Sequence, residues 1–108
     1  DMASTEPAPY HYKDLTIHFE NHVVTLSEEN IHLTQIEYKL LTLLAKNSGK
    51  VLTYTYLMEK IWGPYTDSNN QILRVNMANI RRKIEKNPAA PEYVFTEIGI
   101  GYRMAEGD

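Results

Sequence analysis

The sequence has no cysteine. That absence excludes a disulfide framework and any thiolate metal site, and it fits a reducing compartment. Long apolar runs are missing too. No stretch approaches the roughly 20 apolar residues of a membrane-spanning helix, and no secretory signal pattern opens the chain. A cytoplasmic location is expected. Catalytic signatures are equally scarce: there is no G-x-S-x-G elbow, no H-E-x-x-H helix and no cysteine nucleophile. Gly99-x-Gly101 is followed by a strand pattern rather than a helix, so it fails the context test for a dinucleotide loop. The histidines, His11, His18, His22 and His32, lack the spacing and carboxylate partners of a metal site and read as strand-face or surface residues. Trp62 reads as a core anchor. The expectation is a chain with no catalytic residue, no metal and no cofactor, hence a binding module and not an enzyme.

What is present is one amphipathic basic run, 70–86, around which the rest is organised. Leu73, Met77, Ile80 and Ile84 recur at i, i+4, i+7 and i+11, a single stripe of an α-helix. Off that stripe lie Gln71, Arg74, Asn76, Asn79, Arg81, Arg82 and Lys83. Asn and Gln can pair with adenine edges and Arg with guanine or phosphate. The whole chain carries a net charge of −3, yet this run is +4 and the remainder −7. A docking face needs local charge, so the acidic total is a weak objection to a nucleic-acid partner. Val75 is apolar off the main stripe, and it is either partly buried or meets a thymine methyl.

At 108 residues and 43% hydrophobic the chain suits a single globular domain. Residues 1–11 read as a linker or an appended remnant, 12–105 as the domain and 106–108 as a tail. Leu15, Ile17 and Phe19 alternate with Thr16, His18 and Glu20, 22–26 resume a β-branched run, and 31–33 suggest a short third strand; together they predict an antiparallel meander. Thr34 and Glu37 predict a capping box at the head of a helix carrying Ile36, Leu40, Leu43 and Leu44, closed by a left-handed turn at 47–49. Residues 51–52 read as an extended link. Thr53 can cap a second helix reaching about Trp62, with Leu57, Met58, Ile61 and Trp62 inward, and Gly63-Pro64 stops it. The loop 63–69 is longer than a typical helix-turn-helix connector. Two strand-like runs, 93–97 and 102–104, close the chain. Strands, three helices and a C-terminal hairpin make an α+β winged helix-turn-helix with an N-terminal antiparallel sheet.

Four segments in order, LTQIEYKLLTLLAKNSGKVLT (33–53), LMEKIWG (57–63), LRVNMANIRRKIE (73–85) and FTEIGIGYRM (95–104), resemble the DNA-binding effector domain of OmpR/PhoB-type response regulators. Within that family WGP, LRVNM and TEIGIGYRM look most like regulators of the Kdp-type potassium-uptake operon. The resemblance implies the output half of a two-component system, with an upstream receiver domain that these residues do not include and a cognate sensor kinase. It implies tandem dimers on direct repeats of duplex DNA, and contact with RNA polymerase through 63–69. By position it carries base and phosphate contacts to Gln71, Val75, Asn76, Ala78, Asn79 and Arg81, with Arg82 near the backbone, while Asn70 and Arg74 join them as candidate DNA-binding residues of the same basic run. Thr53 and Tyr54 fall at phosphates, and 96–101 form the wing with Thr96 and Ile98. Many members have Arg where this chain has Tyr54, Asn79 and Ile98, which bears on phosphate grip, base choice and minor-groove contact respectively. A winged helix used only for protein–protein contact is the competing class, and salt discriminates: binding through several phosphates weakens steeply with ionic strength.

Overall fold

Tight turns with left-handed residues shape the N-terminal quarter of the chain. The computed structural model describes residues 8–64 and 70–108. Strands β1 (Tyr10–Tyr12), β2 (Leu15–His18), β3 (Val23–Leu26) and β4 (Glu29–Asn30) form an antiparallel sheet in that order. Leu26 pairs with Glu29 across a two-residue turn in which Ser27 and Glu28 both have positive φ, 52° and 70°. Such a turn matches the right-handed twist of the strands and usually signals itself by Asn-Gly or Asp-Gly. Here neither appears, so 31–33, expected as the third strand, instead follow the short β4.

Strand pairing begins at Tyr10. Tyr10 and His11, assigned to the linker, belong to β1; Tyr10 is buried and its hydroxyl donates to Ala105 O. The tail is tied to the same strand, with Asp108 N–H donating to His11 O at 2.7 Å.

Three helices follow. The capping box forms as expected: Glu37 N–H donates to Thr34 Oγ1 at 3.1 Å and Thr34 N–H to Glu37 Oε1 at 3.0 Å, opening α1 (Gln35–Lys46). The left-handed residue beyond it is Gly49, φ 85°. Residues 51–53 are more than a link: Val51–Thr53 is a strand, β5, antiparallel to the last strand of the chain. Thr53 then caps α2 (Tyr54–Trp62) by accepting from Tyr56 N–H. Helix α3 spans Gln71–Ile84, so Lys86 lies beyond it. Strands β6 (Val94–Glu97) and β7 (Gly101–Met104) complete a second sheet of order β5-β7-β6.

The core lies between α3, α1 and the inner faces of both sheets. Leu73, Met77, Ile80 and Ile84 are all buried, as their spacing predicts, together with Leu40, Leu41 and Leu44 of α1, Leu57 of α2, Ile17 of β2 and Val94 and Met104 of the wing. Burying α3 by this stripe alone leaves its opposite face outward.

Two buried carboxylates orient the frame. Glu37, after closing the capping box, also meets Lys83 Nζ at 2.6 Å and so ties the head of α1 to the end of α3. Glu85, just past α3, accepts three backbone donors: Glu92 N–H at 2.6 Å, Tyr93 N–H at 3.0 Å and Val94 N–H at 3.0 Å. It fixes where the wing leaves the helix.

Candidate nucleic-acid interface

Helical geometry sorts the residues of α3 into rows. Gln71, Val75, Ala78 and Arg82 fall opposite the buried stripe, with Ile72 and Asn79 on one flank and Arg74 and Arg81 on the other. Gln71, Arg74, Val75 and Arg82 are exposed, and Ala78 and Asn79 are half-buried. Asn70 stands at the N-cap without a side-chain capping bond. Asn76 lies further round, its Nδ2 donating to Ile72 O at 2.9 Å.

Arg81 is engaged differently from what its sequence position suggests. Its Nε and Nη2 donate to Val94 O at 3.2 and 3.1 Å, and Nη2 also donates to Thr96 Oγ1 at 2.7 Å. The guanidinium carbon lies 5.5 Å from the centroid of the Tyr102 ring. Arg81 therefore joins helix to wing, with the Val94 carbonyl and the Thr96 hydroxyl as its acceptors. Burial pushes the Tyr102 phenol above its ordinary pKa, and the charges of Arg81 and Arg74 pull it back. Arg82 reaches the other way, Nη1 donating to Asn79 Oδ1 at 2.6 Å. Arg74 and Arg82 are the exposed cations of the outward side.

At the head of α2, Thr53 is exposed and its hydroxyl serves the helix cap. The N–H of Tyr54 donates to Ile100 O, and its half-buried ring meets Tyr102 edge-on at 5.5 Å. The N-terminus of α2 thus sits against the wing turn, where helix amides favour an anion. Residues 65–69 of the loop 63–69 lie outside the described residues.

The wing tip is a three-residue turn. Ile100 N–H donates to Glu97 O at 2.9 Å, and Gly99 takes φ 77°, a conformation that glycine adopts without strain. Gly101 serves another purpose: a Cβ there would lie 1.8 Å from Leu52 O, so only glycine lets β7 approach β5. Ile98 at the tip is 91% exposed. Glu97 turns aside to Arg103, Nε to Oε2 2.9 Å, and Arg103 lies over Phe95. The tip therefore presents an apolar side chain with its neighbouring carboxylate already paired.

Sequence reasoning missed Ile72, which is 46% exposed beside Val75, and Ile100, which is 54% exposed on the wing. An isoleucine one residue off a complete stripe was the available signal for the first.

This arrangement has counterparts among known proteins. A profile of the family described as "Transcriptional regulatory protein, C terminal" matches residues 28–104. The chain belongs to that family. Among curated members, the KDP operon transcriptional regulatory protein KdpE of Escherichia coli K12 is 42% identical over 103 residues, covering 94% of this chain and 46% of that protein. The chain thus spans under half the length of that relative. Response regulator DrrB of Thermotoga maritima, an OmpR/PhoB homologue, superposes with a TM-score of 0.83 at 33% identity, over 90% of this chain and 44% of its own. The DNA-binding domain of RstA from Klebsiella pneumoniae, solved in complex with the RstA box, gives a TM-score of 0.83 at 25% identity, over 92% of this chain and 98% of that one. The α+β winged helix expected from element order is the family's fold.

Proposed function

We propose that this chain is a sequence-specific duplex DNA-binding module, the output domain of a two-component response regulator that acts on transcription in the cytoplasm. The carrying observation is α3: its inner stripe is fully consumed by the core, while Gln71, Arg74, Val75 and Arg82 stand exposed on the outer side. A helix so presented fits the width of the major groove. Thr53 and the α2 N-terminus would meet phosphate, and the 96–101 hairpin would lie beside the minor groove. Arg81 is assigned to holding the wing against α3, with its remaining nitrogen, Nη1, available to phosphate. Asn70, Asn76, Ala78, Asn79 and Tyr54 fall on or beside the same surface.

Similarity to the KDP operon regulator favours genes of potassium transport as the target. An upstream receiver domain, a sensor kinase and RNA polymerase are the further partners. Two copies would bind side by side on direct repeats spaced about one helical turn, 10–11 bp. Selection of bound sequences from random duplex DNA tests this reading. Enriched duplexes should hold two repeats at that spacing, and titration should show two copies per duplex. Tight one-to-one binding to a single half-site would rule out the tandem arrangement.

The wing yields a separate expectation. Ile98→Arg should tighten binding and steepen its salt dependence by about one unit of slope, because a narrow A/T-rich minor groove attracts cations. Unchanged affinity and slope, read by fluorescence anisotropy at several salt concentrations, would place the tip away from the groove.

A further inference from the structure

Ile72 and Val75 are 46% and 50% exposed. Lying three residues apart on α3, they are surface neighbours. Folding gives them no role there, since Leu73, Met77, Ile80 and Ile84 already complete the inward stripe. The nearby amides are partly occupied. Asn76 Nδ2 donates to Ile72 O, and Asn79 Oδ1 accepts from Arg82 Nη1. Asparagine reads adenine by accepting from N6 and donating to N7 together. With one end of each amide engaged inside the helix, that paired contact competes with an existing bond. Ile72 and Val75 face no such competition.

In the major groove the apolar group that a base pair offers is the C5-methyl of thymine. We propose that Ile72 and Val75 form a thymine-reading strip, packing on the C5-methyl groups of thymines in the half-site, and that this apolar contact contributes base preference beside the hydrogen-bonding residues. This rests on the duplex-binding reading above and adds the class of base to it. Arg74 and Arg82 are exposed cations of the same helix. That charge suits an occupant with a phosphate backbone better than an apolar protein surface.

The test uses the most enriched duplex from random-sequence selection, remade with each thymine in turn replaced by deoxyuridine, which removes only the methyl group. One or two positions should lose about fourfold in affinity, the equivalent of burying one methyl-sized group at ~0.8 kcal/mol. Ile72→Ala and Val75→Ala should bind more weakly to the thymine duplex and lose sensitivity to deoxyuridine at their own positions. Both side chains are exposed, so circular dichroism should show the variants folded. If the unaltered chain binds every deoxyuridine duplex as tightly as the thymine one, or if both variants keep full sensitivity, the thymine strip is refuted while duplex binding stands. If no duplex is enriched at all, the inference falls together with the reading beneath it.

Discussion

Replacing Glu85 by alanine should destabilise the domain by about 3–5 kcal/mol and loosen the wing from α3. The side chain is buried and accepts from three consecutive backbone donors, those of Glu92, Tyr93 and Val94. Truncation leaves these N–H groups without their acceptor, two of them on buried residues. A buried donor left unsatisfied costs about 1–3 kcal/mol, and hydrogen bonds to a charged acceptor lie in the upper part of the range. The damage should extend to function. Val94 begins β6, and its carbonyl is the acceptor that holds Arg81. Glu85→Gln, which keeps one acceptor oxygen, should lose markedly less than Glu85→Ala. Urea unfolding gives the comparison. A loss below about 0.5 kcal/mol for Glu85→Ala would mean that water replaces the carboxylate and that the junction is not held by it.

Ile80→Ala should have a comparable effect for a different reason. Ile80 is fully buried on the stripe that packs α3 against α1 and the sheets. Removing its outer carbons forfeits their transfer free energy and leaves a cavity that rigid neighbours fill only in part, so about 2–5 kcal/mol is expected. For a domain of this size that lowers the melting temperature by roughly 10 °C or more. The exposed positions of the same helix provide the contrast: Val75→Ala should move stability by about 0.5 kcal/mol or less. If thermal unfolding ranked the two substitutions the other way, the buried and outward faces of α3 would be interchanged.

The parts of this fold legible in the sequence are those with a long period or an explicit local bond. The α3 stripe recurs over the twelve residues 73–84, and the Thr34–Glu37 pair writes the start of α1 as a reciprocal hydrogen bond. The sheet was harder to read because its turns hide their chemistry. Lys13, His22, Ser27 and Glu28 all take positive φ, and none of the four is glycine or asparagine. Tyr10 and His11 of strand β1 then look like linker, although Tyr10 is buried, and β4 is only two residues long. Strand β5 escaped notice because its partner, β7, lies about 50 residues away, and no local pattern encodes so remote a pairing.

The candidate interface divides in the same way. Which residues of α3 point outward follows from its period. Which outward side chains are already engaged does not. Arg81 turns to Val94 and Thr96 because the wing folds back beside α3, a tertiary arrangement that the helix sequence does not contain. Glu85, countable only as one negative charge in the basic run, proves to be the anchor of that arrangement.

The most direct measurement is the affinity of this chain for a selected duplex as a function of salt, for the unaltered protein and for Arg74→Ala and Arg82→Ala. These two are preferable to Arg81→Ala, whose loss would also disturb the wing. With the outer side of α3 in the major groove, the logarithm of the affinity should fall linearly with the logarithm of salt concentration. Each of the two substitutions that removes a phosphate contact should reduce the slope by about one unit. A folded protein that binds no duplex, or binds one with a flat salt dependence that neither substitution changes, would contradict the account.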